Sequence, residues 1–281
     1  MPDDVRAEAS NAWRARLDLA FDRDGPRTRL ARRSHEGPLV VQKPMYPEGD
    51  EVCQCIVVHP PGGIAGGDRL RLAVDVAAGA RAQLTTPGAA KWYRADGRPS
   101  SQQLDFTVAP GAVLEWLPQS SIVFDGVDAR SDVRVRVGRD GVYMAFDVVC
   151  LGRTASGETF DTGTWRQRVD VERDGALVWS ERLVLRGDDA LLRSKPGLNG
   201  APVFGTFAVM AAHIPDDLVA ACRMPAPTRG DGSVTRVAHG IIGRYLGPST
   251  EAAHAYFTAL WTIVRPALTG RAAVPPRIWS T

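Results

Sequence analysis

The sequence has little lysine and little histidine. Three lysines, at 43, 91 and 195, stand among 34 basic residues, and there are five histidines in 281 residues. No lysine lies between Lys43 and Lys91. The glycine-rich stretch "CIVVHPPGGIAGGDRLRL" at 55–72 therefore lacks the Lys-Ser/Thr pair of a phosphate loop. It also lacks a G-x-G-x-x-G turn opening a helix, because "DRLRLAVDV" alternates like a strand. No two histidines have H-E-x-x-H or i,i+4 spacing, so no hydrolytic zinc site has a visible ligand set. There is no G-x-S-x-G elbow, and Ser120–Ser121 have no base beside them in sequence. The four cysteines, at 53, 55, 150 and 222, do not make a disulfide framework. No run approaches 18 apolar residues, and "MPDDVRAEAS" has no basic-then-apolar leader pattern, so a cytoplasmic protein is expected. A net charge of +2 is too small to imply nucleic acid, and the arginine excess reads as coding bias.

What is present is alternation punctuated by glycine. "VDVAAGARAQLTT", "FTVAPGAVLEWLP", "VRVGRDGVYMAFDVV" and "VDVERDGALVWSERL" each read as strand, tight turn and strand. Their turn glycines, Gly79, Gly111, Gly141 and Gly175, recur at roughly 30-residue intervals. The last two of these turns both read "RDG", a hairpin signal because the turn needs positive φ. The pattern predicts one all-β domain over 1–281, of stacked antiparallel or mixed sheets with repeated hairpins. The uneven period argues against a strict solenoid.

Helical signals are confined to the C-terminal part. "PDDLVAACRM" (215–224) has a proline and two aspartates suited to a first turn. A longer helix near 250–266 follows a Ser-Thr-Glu start, with Phe257, Leu260, Trp261 and Val264 forming one apolar face. Pro266 is expected to end or kink it. That stripe is a candidate partner surface; packing against the parent sheet is the other reading.

Candidate chemistry comes from polar residues in apolar company. "CQC" puts the Cys53 and Cys55 thiols on one strand face with His59 four residues on, a set suited to borderline metal ions. Buried cysteines also pack simply as small hydrophobes. Glu115 in "AVLEWLPQ", Lys91 in "TTPGAAKWYR" and Glu181 in "LVWSERLVL" are charges within β runs. A buried charge is costly unless paired or hydrated, so these residues mark a solvent face, a polar channel or an interface. An enzyme with residues converging from distant strands stays open at this point.

"HPPGGIAGGDRL", "LTTPGAAKWYR", "LEWLPQSSIVFDG" and "CLGRTASGETFDTG" followed by "ERL" resemble the signature segments of the UreD (UreH) urease accessory protein family, over roughly 13–270. The resemblance implies a non-catalytic β-rich scaffold for urease maturation. Its implied partners are the helical accessory protein UreF, the nickel-carrying GTPase UreG held through UreF, and apo-urease, in a dimeric accessory complex. It implies no tightly bound cofactor, only Ni2+ in transit through an internal passage to urease's dinuclear site.

The family's glycine loop matches Gly62, Gly63, Gly66 and Gly67 with Asp68. Thr85, Thr86, Pro87, Gly88, Lys91, Tyr93 and Arg94 match its second segment, and Glu115, Pro118 and Gln119 its third. Gly152, Arg153, Gly157, Glu158 and Gly163 match the fourth, and Glu181 the later acidic position. Asp147 stands before "VVCLGR" where Glu is expected, one methylene shorter. The resemblance thus implies Asp68, Glu115, Glu158 and Glu181, with Asp147 a weaker member, as residues of a nickel passage. Scattered oxygen ligands suit transfer, since a cation in motion needs contacts weak enough to leave. The cysteine pair is outside the pattern.

Overall fold

The computed structural model describes residues 12–280. Two sheets enclose one apolar core, and helices cover the far side of the second sheet over another. The first sheet has seven strands, in the order Ala176–Arg186, Gly163–Arg173, Val127–Val137, Ser100–Val108, Arg69–Val76, Arg14–Asp24 and Arg27–Glu36. Its inner five run parallel, and both edge strands are antiparallel. The second, of eleven strands, has a parallel centre of Cys53–Val58, Arg81–Thr85, Val113–Leu117 and Val142–Leu151. It continues antiparallel through Val203–Met210, Gly240–Gly247 and Asp231–Val237.

This topology corrects the expected hairpins. Of the four glycine turns, those at Gly79, Gly111 and Gly141 carry the chain from the first sheet to the second, so their flanking strands never pair. Successive coils stack instead, with parallel neighbours, as a two-sheet solenoid that loop insertions make uneven. Of these four turns, only Asp174–Gly175, with φ of 48° and 81°, closes a hairpin, as two consecutive positive φ values demand. Stacking sets identical pleat positions in columns, so Leu17, Leu72, Leu104, Val133 and Val169 align across five strands. Each fully buried aliphatic side chain of such a column contributes roughly 1.5–3 kcal/mol.

The helices fall where the periodicity puts them. Helix α1 spans Asp216–Cys222 and α2 spans Thr250–Thr269. The Ser249 side chain accepts from Ala252 N at 3.2 Å, capping the start of α2. α2 runs three residues past its expected end at 266. The Pro266 carbonyl still accepts from Gly270 N at 2.9 Å, and Gly270 ends the helix at φ 70°. Phe257, Leu260, Trp261 and Val264 are all fully buried against the second sheet. The apolar stripe is therefore taken up within the chain and is not a free partner surface. Its close approach needs glycine: a Cβ on Gly205 would meet the Phe257 ring at 2.8 Å, and one on Gly243 would meet Leu260 at 2.8 Å. Among the described residues, no helix is long and apolar enough to cross a membrane.

Candidate functional site

Between the sheets, where columns of aliphatic side chains fill most of the space, lies a cavity of about 450 Å³. Its walls are apolar in part, with Leu72, Val133, Trp116 and Ala145 among them. Two polar rows interrupt them. From the first sheet, Gln102, Ser131 and Gln167 stand in register across three parallel strands. From the second, Asp147 and Thr206 line it, with Arg244 next in the same row across three antiparallel strands. Strand alternation aims Asp147 to the same side as Tyr143 and Ala145, into the cavity rather than toward the helices.

Asp147 and Glu181 approach from facing sheets. The Asp147 carboxyl is pushed up to about 6, by burial first and by the negative charge of Glu181 second, with a hydrogen bond from Gln167 Nε2 opposing both. Glu181 accepts from both guanidinium nitrogens of Arg244, at 2.7 and 3.0 Å. The same Arg244 donates to Thr206 Oγ1 at 2.6 Å and lies 5.7 Å from the Trp179 ring centre. Tyr143, buried on the same strand face as Asp147, has its phenol pushed well up by burial and keeps its proton.

The cavity also reaches the glycine loop, where His59, Gly62, Gly63 and Lys91 line it. Burial lowers the His59 imidazole below its ordinary value against a smaller pull from Asp68, so it is neutral at pH 7. Its Nε2 is buried without a hydrogen-bond partner. Gly62 and Gly67 hold positive φ, of 76° and 91°, while a Cβ on Gly63 would collide with the Tyr93 ring and one on Gly66 with Asp96. A second cavity, of about 690 Å³, touches the first along Ala89, Lys91 and Gln119 and contains Arg153, Ser120 and His254. Here the chain supplies the base that sequence proximity did not: Ser120 Oγ lies 2.9 Å from His254 Nε2. Among the described residues no carboxylate hydrogen-bonds that imidazole, and burial pushes it down to about 4.

The other carboxylates singled out in the sequence lie elsewhere. Asp68 accepts from Trp13 N at 2.7 Å and Ala65 N at 2.8 Å, fixing the glycine loop to the entry of the first strand. Glu115 faces α2, where Trp261 Nε1, Arg265 Nε and Gln83 Nε2 donate to it at 2.6, 2.9 and 3.2 Å. Burial still raises its carboxyl, with Arg265 the largest counterweight. Glu158 closes its turn on Arg153, at 2.9 Å to the guanidinium and 3.0 Å to the backbone N–H. Only Asp147 and Glu181 are brought together at the cavity. Cys53 and Cys55 are buried side by side in the apolar core, and His59 does not join them in a cluster.

Gln167, Thr206 and Arg244 were absent from the sequence-derived set. Gln167 had a legible signal, since alternation in "TWRQRVDV" places it on the inward side with Trp165 and Val169. Arg244 had none, because its significance comes from Glu181, 63 positions earlier and in the other sheet.

The profile of the UreD urease accessory protein family matches residues 13–280. The urease accessory protein UreD of Dechloromonas aromatica (strain RCB) is 49% identical over 278 residues, covering 98% of this chain and 96% of that protein. The UreD of Azoarcus sp. (strain BH72) is 48% identical over 280 residues, covering 99% and 98%. That of Methylobacillus flagellatus is 45% identical over 285 residues, covering 99% and 100%. With the match running the length of both sheets and both helices, the chain belongs to the UreD urease accessory protein family, and is accordingly a non-catalytic accessory protein.

Proposed function

We propose that this chain is the scaffold subunit of a urease-maturation complex and that the cavity between its sheets is a passage for Ni2+. The scaffold role comes with the family. The passage reading is supported by one observation above the rest: Asp147 and Glu181 reach into one cavity from facing sheets. A sandwich core gains nothing from Asp147, whose charge is disfavoured there by desolvation and by Glu181. A divalent cation in transit does gain, because carboxylate, hydroxyl and amide oxygens bind it without the grip of a thiolate cage. In this reading the neutral His59 is a further contact toward the glycine loop. Ni2+ would arrive from UreG held by UreF and leave toward apo-urease, in a dimeric accessory assembly. With the α2 stripe buried, UreF needs another surface of this chain.

The test is an Asp147→Asn/Glu181→Gln double variant, which keeps size and removes charge. Partner pull-down is expected to persist while urease activation at limiting nickel falls at least several-fold. Full activation would remove the passage and leave a structural adaptor. Loss of assembly in parallel would make the two carboxylates part of the fold or interface.

A further inference from the structure

Asp147, Thr206 and Arg244 are consecutive members of one row across three strands of the second sheet. Glu181 meets that row from the antiparallel edge strand of the first sheet. The guanidinium of Arg244 therefore sits among oxygens from both sheets. It donates to both carboxylate oxygens of Glu181, at 2.7 and 3.0 Å, and to the Thr206 hydroxyl at 2.6 Å. Asp147 is Thr206's cross-strand neighbour and is itself steered by Gln167. Trp179, Glu181, Thr206 and Asp147 all line the cavity. The side chains of Arg244 and Glu181 keep 38% and 29% of their exposure, which puts the pair at a wetted end rather than sealed inside.

Two carboxylates and a hydroxyl are an oxygen set suited to a divalent cation. One cation already stands there. We propose that Arg244 is a resident counter-ion that competes with the metal ion for Glu181 and so keeps the Asp147–Glu181 oxygen set a weak, releasing site instead of a trap. With the guanidinium in place Glu181 is already paired; with it gone both carboxylates are open to a divalent ion, which can displace any proton they share. A metal ion entering must turn the guanidinium away from Glu181, and the guanidinium's return favours departure. The pair also joins the edge strand Ala176–Arg186 to Gly240–Gly247, so the exchange that admits the ion loosens one tie between the sheets. This inference rests on the passage reading for its biological sense, but its physical content is a binding equilibrium measurable without urease.

The experiment is titration of the full-length chain with NiCl2 by equilibrium dialysis. It compares the wild type with Arg244→Gln, Arg244→Met, Arg244→Lys and the triple variant Arg244→Gln/Asp147→Asn/Glu181→Gln. Removing the positive charge is expected to tighten one Ni2+ site by about tenfold, the scale of one unit charge beside a partly hydrated site. The Lys variant should stay near the wild type, and the triple variant should lose the gain. X-ray absorption at the nickel edge should then read oxygen ligands without sulfur. Arg244→Met keeps packing over Trp179 in case the polar replacement does not fold. Thermal unfolding with and without NiCl2 gives a second reading, since ligand stabilisation tracks affinity and should be larger in the charge-removed variants. Unchanged or weaker Ni2+ affinity in either folded variant overturns the inference, as does a gain that survives in the triple variant. Unaltered urease activation in Asp147→Asn/Glu181→Gln, beside a tenfold gain in Arg244→Gln, would sink the passage and leave the counter-ion standing.

Discussion

His254 is half-buried among Phe146, Ser120 and the walls of the second cavity, and its environment disfavours the imidazolium. Its pKa falls from 6.5 to about 4. The unfolded chain therefore binds a proton at this residue near pH 6.5 and the folded chain only near pH 4. Its contribution to stability is complete above 6.5 and is lost as pH falls toward 4, about 3 kcal/mol at most by linkage. Asp147 runs the opposite way in the same window. Its carboxyl rises from 3.8 to about 6, so it favours folding below 3.8 and loses that as pH rises through 6. The wild-type profile alone thus mixes two opposed slopes. His254→Gln keeps a partner for Ser120 and removes one of them. The difference in urea midpoint between variant and wild type, followed from pH 7.5 to 4.5, is expected to move steadily in the variant's favour as pH falls. A constant difference would mean that His254 does not carry the slope.

At the scale of elements, α2 is held by more than its apolar stripe. Gln54, Gln83 and Glu115 form a polar row on the helix side of the second sheet, and Arg265 descends onto it. Arg265 also reaches Glu48 at 2.7 Å, with both side chains almost wholly buried. Removing one partner of such a pair costs about 3–5 kcal/mol, because the other charge stays buried alone. Arg265→Met is expected to lose that much in denaturant unfolding. Glu115→Gln in the Arg265→Met background should recover part of it, and strict additivity of the two changes would show that they are not coupled. The helix was legible because its cap and 3.6-residue stripe are local. What the stripe faced was not, since an apolar face reads alike whether a partner or the parent sheet covers it. The strands were legible for the same local reason, while the turns misled. Positive φ at Gly79 and at Gly175 is the same local fact, yet one turn crosses to the other sheet and one closes a hairpin. Which occurs depends on the strand waiting in the neighbouring coil, about 30 residues away. Glu115 and Glu181 illustrate the same limit at the site. Each is a carboxylate in an apolar strand, but tertiary packing alone decides that one meets Arg265 of α2 and the other Arg244 of the facing sheet.

For the whole molecule, the proposed function would use the solenoid's outer faces for partners and the space between its sheets for the ion. Stacked coils bring Gln102, Ser131 and Gln167 into line without any one of them being essential to the aliphatic columns. The cavity can therefore be blocked without altering charge or surface. Ser131 is 8% exposed and lies at the middle of its row, so Ser131→Phe directs a ring into a cavity of about 450 Å³ that has room for it. The ring exchanges a hydroxyl for apolar contact, and thermal stability should hold or rise, since filling a void restores lost contacts. Partner pull-down should be unchanged because no outer face is touched. Urease activation at limiting nickel should fall, while Ni2+ binding at the Arg244 end in the Arg244→Gln background should remain. That pattern follows only if the ion must travel the length of the cavity. Full activation by a stable, partner-competent Ser131→Phe chain would show that nickel takes another road, and would do so without touching either carboxylate.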